Sequence, residues 1–198
     1  GAIILGKTML HEYATGGPSF DLTWPPARNP WNPDHHPGGS SSGSGVAVAT
    51  GMVSAALGTD TAGSVRHPAT HCGIVGMKPT YGGMSREGVF PLAPTLDQVG
   101  PMTRGGGDNA LLYRSCIADG KIKSALDNWL AEVRDNPSSA LDIRGMRVAL
   151  LDDFNTDADP EILQGLDEAV NRLRELGAEI TPVKTEPVDQ FNDCARLL

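Results

Sequence analysis

The sequence predicts an α/β protein, and three observations carry that prediction. Residues 146–183 read as strand, amphipathic helix and strand, the repeating unit of an α/β sheet. Residues 46–57 are almost wholly apolar and small, the pattern of a helix buried on all sides. Apolar residues make up 39% of the 198-residue chain, enough for a sizeable core. No apolar run reaches the ~18 residues that a membrane helix needs.

Taken in order, Ala2-Ile3-Ile4-Leu5 predicts a short strand, followed by a turn or helix start between Thr8 and Ala14. The chain opens on Gly1 in mid-pattern and stops at Leu197-Leu198 as a new apolar segment begins, so the expectation is an internal piece of a longer polypeptide. From Gly16 to Pro37 the residues Pro18, Pro25, Pro26, Pro30, Pro33 and Pro37, with Trp24 and Trp31, exclude regular helix or central strand. This segment is read as an irregular crossover. The Gly38–Gly45 run of Gly and Ser is read as a loop feeding the buried helix Val46–Leu57, which Gly58 ends.

Gly58 to Arg104 mixes Gly, hydroxyl and short apolar pieces, which predicts short strands and tight turns packed close to other backbone. A helix is expected over 108–117, and 121–142 reads as a polar surface connection. Met146–Leu151 is predicted to be a buried strand. Asp159 caps a helix that has Pro160 at its first position, with Ile162, Leu166, Ala169, Val170, Leu173 and Leu176 at helical spacing. Gly177 stops it, and Glu179–Val183 returns as a strand.

Lys and Arg number 16 against 24 Asp and Glu, a net charge of −8, which argues against a surface that coats nucleic acid. Cys72, Cys116 and Cys194 are widely and irregularly spaced, fitting reduced thiols buried as small hydrophobes and a cytoplasmic setting. The i, i+4 pair His67 and His71 has no Glu between them, and Pro68 is expected to break any helix there, so no metal site is predicted. The Gly-rich run lacks the Lys of a phosphate-binding loop, and no cofactor is expected.

The chemistry-bearing block is Gly38 to Thr80. Ser40, Ser41, Ser42 and Ser44 stand at a helix mouth, where backbone N–H groups are unsatisfied. Ser64 follows within Gly58-Thr59-Asp60-Thr61-Ala62-Gly63-Ser64-Val65-Arg66, where small side chains let backbone N–H groups approach a substrate oxygen. The plainer reading of the same residues is a pair of Ser/Gly turns that cap helices.

These two segments, with Cys72-Gly73-Ile74-Val75-Gly76-Met77-Lys78-Pro79-Thr80, Ser85-Arg86-Glu87-Gly88-Val89 and Leu96-Asp97-Gln98-Val99-Gly100-Pro101-Met102-Thr103-Arg104, closely resemble the amidase signature family. The resemblance covers at least Leu5 to Leu112, and the strand-helix-strand unit fits the family's order of elements. It implies a mixed sheet flanked by helices, incomplete at both ends. One partial amidase domain would span 1–198, with the catalytic core in 1–118, a connection in 119–142 and a continuation in 143–198.

The resemblance further implies an amidohydrolase acting on a small-molecule carboxamide by a Ser-Ser-Lys mechanism. Ser64 would be the nucleophile. Ser40, after a cis peptide bond from Gly39, would relay its proton to a neutral lysine. The N–H groups of Thr61, Ala62, Gly63 and Ser64 would form the oxyanion hole, and Ser41, Asp60 and Arg66 would fix the loops. A bulky side chain at Gly63 is expected to obstruct the approach of Ser64 to Ser40. By the same resemblance the family's lysine, in a Lys-Asp-Asn type segment well ahead of the Gly/Ser loop, would fall upstream of Gly1, and Lys7 and Lys78 match other family positions. The isolated chain is accordingly expected to lack turnover.

Ala62 stands where the family usually has Gly, Gly83 replaces a common Arg, and Gly105-Gly106-Gly107 replaces a more structured helix start. These departures bear on substrate fit and local rigidity. The resemblance also fits the A subunit of a tRNA-dependent amidotransferase with its partner subunits, whereas the Gly16–Asp21 and Trp24–Trp31 wording is closer to stand-alone amidases. A homodimer is compatible with the latter. Two other readings are a non-catalytic homologue acting as a binding module and a Ser-His-Asp hydrolase using Ser64, His67 or His71, and Asp60 or Asp97. The last lacks the Gly-x-Ser-x-Gly elbow.

Overall fold

The computed structural model describes residues 2–15, 23, 27–117, 119–151, 157–187 and 189–191, the side chains of 140 and 141 apart. Expectations for Gly16–Asp21, Trp24–Pro26, Cys194 and Leu197-Leu198 lie outside the described residues. Two compact units divide within one helix, into Gly1–Leu130 and Ala131–Leu198.

The first unit is built on three antiparallel strands in the order β1-β3-β2, with β1 at Ala55–Asp60, β2 at Val75–Gly76 and β3 at Gln98–Thr103. The register runs from Ala55 opposite Thr103 to Asp60 opposite Gln98. All six residues of the central strand are buried, which removes any solvated face and explains its lack of alternation. Pro101 is tolerated there because the ladder to β2 ends at Gly76 opposite Met102, one residue short of it. The Pro101 carbonyl instead accepts the Met77 N–H and the Asn109 side-chain amide, each at 3.1 Å.

Four helices belong to the sequence around this sheet: α1 (Ser42–Ala49), α2 (Arg66–Cys72), α3 (Gly106–Cys116) and α4 (Gly120–Asp135). Val65 and Ala69 pack with Met102, while Met84, Val99, Tyr113 and Ile117 form a second cluster that Ile122 and Leu126 of α4 join.

The apolar run 46–57 is not one helix. The Gly/Ser segment itself forms the first turn of α1, and the helix ends at Ala49, where Gly51 takes φ +75° and donates its N–H to the Val48 carbonyl. The second half of the run is β1. Gly43 is required within α1 because an added Cβ would lie 2.5 Å from the Met9 backbone that crosses it.

Further departures have local causes. Ala2–Leu5 is no strand: no described strand runs beside it, and Ile3 and Ile4 are nearly fully exposed. Pro68 does not break α2, because it occupies the first turn, where no intrahelical N–H is lost. The segment 121–142 is mostly helix: Asp119 Oδ1 accepts the N–H groups of Lys121 (2.8 Å) and Ile122 (3.0 Å), and the apolar side of α4 packs on the Met84 cluster. Cys116 is exposed, although Cys72 is buried as expected.

The second unit contains parallel β4 (Arg147–Leu151) and β5 (Glu179–Val183), joined through α5 (Pro160–Glu175). The strand-helix-strand order and both helix limits match the sequence pattern. β4, expected to be buried, has Arg147 and Ala149 exposed. Asp159 occupies the cap position, but its backbone carbonyl, not its side chain, receives the N–H groups of Ile162 and Leu163.

Candidate active site

The site is assembled from three loops of the first unit: residues 36–41, 60–65 and 92–97. The Gly39–Ser40 peptide bond is cis. Ser41 donates its N–H to the Ser64 carbonyl at 3.2 Å, which ties the Gly/Ser loop directly to the segment carrying Ser64. From the other side, His11 donates its N–H to the Ser40 carbonyl and Gly43 donates to the Met9 carbonyl, so residues 9–11 run along the loop like a strand.

Ser40 is 1% exposed, and its hydroxyl has no hydrogen-bond partner; Ser42 is in the same condition. Ser64 is half-buried. The hydrogen bond expected between the Ser40 and Ser64 hydroxyls is therefore not made in this structure, although the loops that carry them are clipped together. Among the described residues, no acceptor takes the N–H groups of Ala62, Gly63 or Ser64.

Asp60 is the electrostatic centre of the loop that carries Ser64. Its carboxylate is fully buried and accepts Arg66 Nε and Nη2, each at 3.0 Å, together with the N–H groups of Val65 (3.2 Å) and Arg66 (3.3 Å). The last two bonds satisfy first-turn donors of α2, so Asp60 caps that helix from outside it. Burial pushes its pKa up, but the Arg66 and backbone hydrogen bonds more than offset this and leave it below the usual carboxylate range. Lys78 Nζ lies 3.4 Å from Asp60 Oδ1 and also donates to the Thr61 carbonyl.

Thr61 is held at both ends, because its hydroxyl donates to Asp97 Oδ1 at 2.6 Å. Asp97 in turn accepts the N–H groups of Leu92 and Ala93. Burial raises its pKa, but the Thr61 and backbone hydrogen bonds with nearby Arg86 lower it below its ordinary value overall. Ser41 reaches β1: its hydroxyl accepts the Thr59 N–H and donates to the Thr59 carbonyl.

Ser40, Ser41, Asp60, Thr61, Ala62, Gly63, Ser64 and Arg66 thus share one neighbourhood. The expected obstruction at Gly63 is not found: an added Cβ meets nothing within 4 Å, and glycine is favoured there only by φ +145°. Sequence reasoning considered Asp97 only as the acid of a Ser-His-Asp relay and Lys78 only to set it aside as the base, and it missed that both anchor the loop that carries Ser64. Their position beside Pro79 and Gln98 carried no local signal of partners 17 and 36 residues away. Among the described residues no Ser-His-Asp relay forms, since Asp60 and Asp97 are committed to the partners above, none of which is a histidine.

A likeness to known proteins agrees with this architecture. The amidase family model matches residues 1–197, and the chain belongs to that family. It is 41% identical over 191 residues to the glutamyl-tRNA(Gln) amidotransferase A subunit of Pelobacter propionicus, covering 96% of this chain and 39% of that protein. The crystal structure of the corresponding A subunit from Thermotoga maritima superposes with a TM-score of 0.80 at 38% identity, covering 93% of this chain and 40% of the other. Native peptide amidase from Stenotrophomonas maltophilia gives 0.76 at 34% identity, covering 93% and 39%. The chain spans about two-fifths of the length of these relatives. Among the described residues, no helix is long and apolar enough to cross a membrane.

Proposed function

We propose that this chain carries the nucleophile and proton relay of a carbon–nitrogen hydrolase acting on a small-molecule carboxamide. The observation that supports it most directly is the buried Ser40 hydroxyl without a partner, on a loop tied to the backbone of Ser64. A buried polar group left unpaired is costly in a structural role and is at home in a proton relay.

In this reading Ser64 Oγ attacks the carbonyl carbon, its proton passes to Ser40 Oγ, and Ser40 gives its own proton to a neutral lysine. The N–H groups of Thr61, Ala62, Gly63 and Ser64 face the oxyanion. The lysine returns its proton to the departing nitrogen, which leaves as ammonia or amine. Water then cleaves acyl-Ser64 to the acid and restores the hydroxyl. The base comes from elsewhere in the full-length protein: Lys78 is committed to Asp60 and Thr61, and Lys7 is exposed. Ser41, Asp60 and Arg66 hold the loops. The single amidase domain, divided at 118 and 142, and a cytoplasmic setting belong to the same proposal.

A fluorophosphonate probe on the full-length protein tests it. Labelling at Ser64 is expected, with none in Ser64→Ala; labelling that survives the substitution removes Ser64 from the role. A protein that is never labelled favours a non-catalytic binding module.

The likeness to the amidotransferase protein favours a second reading, in which the same chemistry releases ammonia from glutamine for a charged tRNA. Co-purification with partner subunits and glutamine-dependent transamidation select it. A homodimer that hydrolyses free amides selects the first.

A further inference from the structure

Three histidines cluster behind the Gly38-Gly39-Ser40 turn and have no place in the mechanism above. The ring of His67 lies 4.4 Å from that of His71, and the His36 ring lies 6.1 Å from each. Their hydrogen bonds fix what each nitrogen must carry. The Gly38 N–H points at His36 Nδ1 at 2.9 Å, and the Gly39 N–H points at His67 Nδ1 at 3.4 Å. A backbone amide can only donate, so both Nδ1 atoms are acceptors and both rings are neutral, with the proton on Nε2. His71 is opposite, since its Nδ1 faces the His36 carbonyl at 3.0 Å and must donate.

We propose that His36 and His67 are positioning residues that hold the turn leading into Ser40 through neutral ring nitrogens, and that protonating either ring releases it. The catalytic consequence rests on the reading of Ser40 as a relay. A proton on Nδ1 of either ring sets N–H against N–H and places positive charge beside two other imidazoles. Protonating His71 leaves its donor in place. The turn has little room to adjust: an added Cβ on Gly38 would lie 2.5 Å from Pro68 Cα, and the Asn29 side chain ties the His36 and His71 carbonyls together.

Among the described residues, the titratable groups on the elements packed against the turn are His36 from its own loop, His11 from the segment whose N–H bonds the Ser40 carbonyl, and His67, His71 and Cys72 from α2. Cys72 donates its thiol to the Pro37 carbonyl at 3.4 Å, and burial pushes its pKa up to about 11, so it contributes no charge. Burial, followed by the nearness of His67 and His71, lowers the pKa of His36. The sign is therefore fixed. The native turn is fully favoured above the ordinary histidine pKa and is lost as pH falls through the lowered one.

Asparagine presents an acceptor oxygen near the position of Nδ1 and does not titrate, so it separates positioning from packing. The full-length enzyme is assayed from pH 5 to 8.5 as wild type, His36→Asn/His67→Asn and His36→Ala/His67→Ala. The alanine pair is expected to lower kcat about tenfold at pH 8 with KM little changed, the loss of one or two hydrogen bonds. The asparagine pair is expected to recover most of that loss and to flatten the acid limb seen in the wild type. An acid limb unchanged in the asparagine pair, or full activity in the alanine pair, overturns the proposal.

A readout without turnover keeps the two readings apart. In ¹⁵N-histidine spectra of the Ser64→Ala protein above pH 7, His36 and His67 should show the proton on Nε2 and His71 on Nδ1. The reverse tautomer at His36 or His67 overturns the proposal even in an active enzyme. The expected tautomers in a wild type that never forms an acyl-enzyme would remove the hydrolase reading alone.

Discussion

The Ser41 hydroxyl and the Thr59 backbone satisfy each other completely: the hydroxyl accepts the Thr59 N–H at 3.1 Å and donates to the Thr59 carbonyl at 3.2 Å. One side chain therefore does for this residue of β1 what a neighbouring strand would do. Ser41→Ala leaves both groups unpaired at a half-buried position, and a loss of about 1–3 kcal/mol is expected. Urea unfolding of the full-length protein measures it, and fluorophosphonate labelling should slow in the same variant because the Ser64 loop is tied to this one.

The glycines of the site differ in why they are glycines. Gly38→Ala faces both a φ of +78° and the Pro68 backbone, whereas Gly63→Ala faces only its φ of +145° in open space. Gly105 has neither constraint. Midpoints of thermal unfolding should therefore fall most for Gly38→Ala, less for Gly63→Ala by about 1–3 kcal/mol of backbone strain, and little for Gly105→Ala.

Acid should weaken the loop that carries Ser64. Asp60 and Asp97 both have pKa values below the ordinary range in the folded chain. The stability they contribute is complete above the unfolded value near 4 and is lost as pH falls through the folded values, because the unfolded state takes up protons first. Urea midpoints measured from pH 7 to pH 3 should decline. The decline should be shallower in Asp60→Asn, which starts about 3 kcal/mol or more lower because Arg66 and Lys78 lose a buried partner.

Thiol chemistry offers an independent check on packing. Cys116 is exposed, and Cys72 is buried with its pKa raised to about 11. Peptide mapping after brief alkylation at pH 8 should find Cys116 modified and Cys72 intact, with Cys72 reacting only when denaturant is added.

The second unit was legible because its signals are local: Asp159-Pro160 starts α5, leucines recur at helical spacing, and Gly177 stops it. Residues 46–57 misled because apolar character is shared by a buried helix and a buried strand, so only Gly51 marked the boundary. The polar Lys123 and Ser124 between Ile122 and Leu126 likewise masked the apolar side of α4. Within the site, the Gly/Ser loop and the Asp60–Arg66 segment were recognisable as a family pattern, and Asp60 and Arg66 lie close enough in sequence to pair visibly. The anchoring by Lys78 and Asp97 and the use of His36 and His67 as acceptors depend on which loops the fold brings together. No window of neighbouring residues contains that information.

The pairing of β1 with β3 also sets an order of events in synthesis. Asp60 meets Gln98, and Ala55 meets Thr103, across an intervening stretch that already includes Ser64 and all of α2. Thr61 likewise waits for Asp97. As the chain leaves the ribosome, the segment bearing Ser64 emerges well before the strand that fixes it, and closing so long a loop precedes any reward from the contacts it makes. The loop that carries Ser64 therefore takes shape only after β3 has emerged, and a nascent chain that ends before residue 103 has its serines without the frame that aligns them.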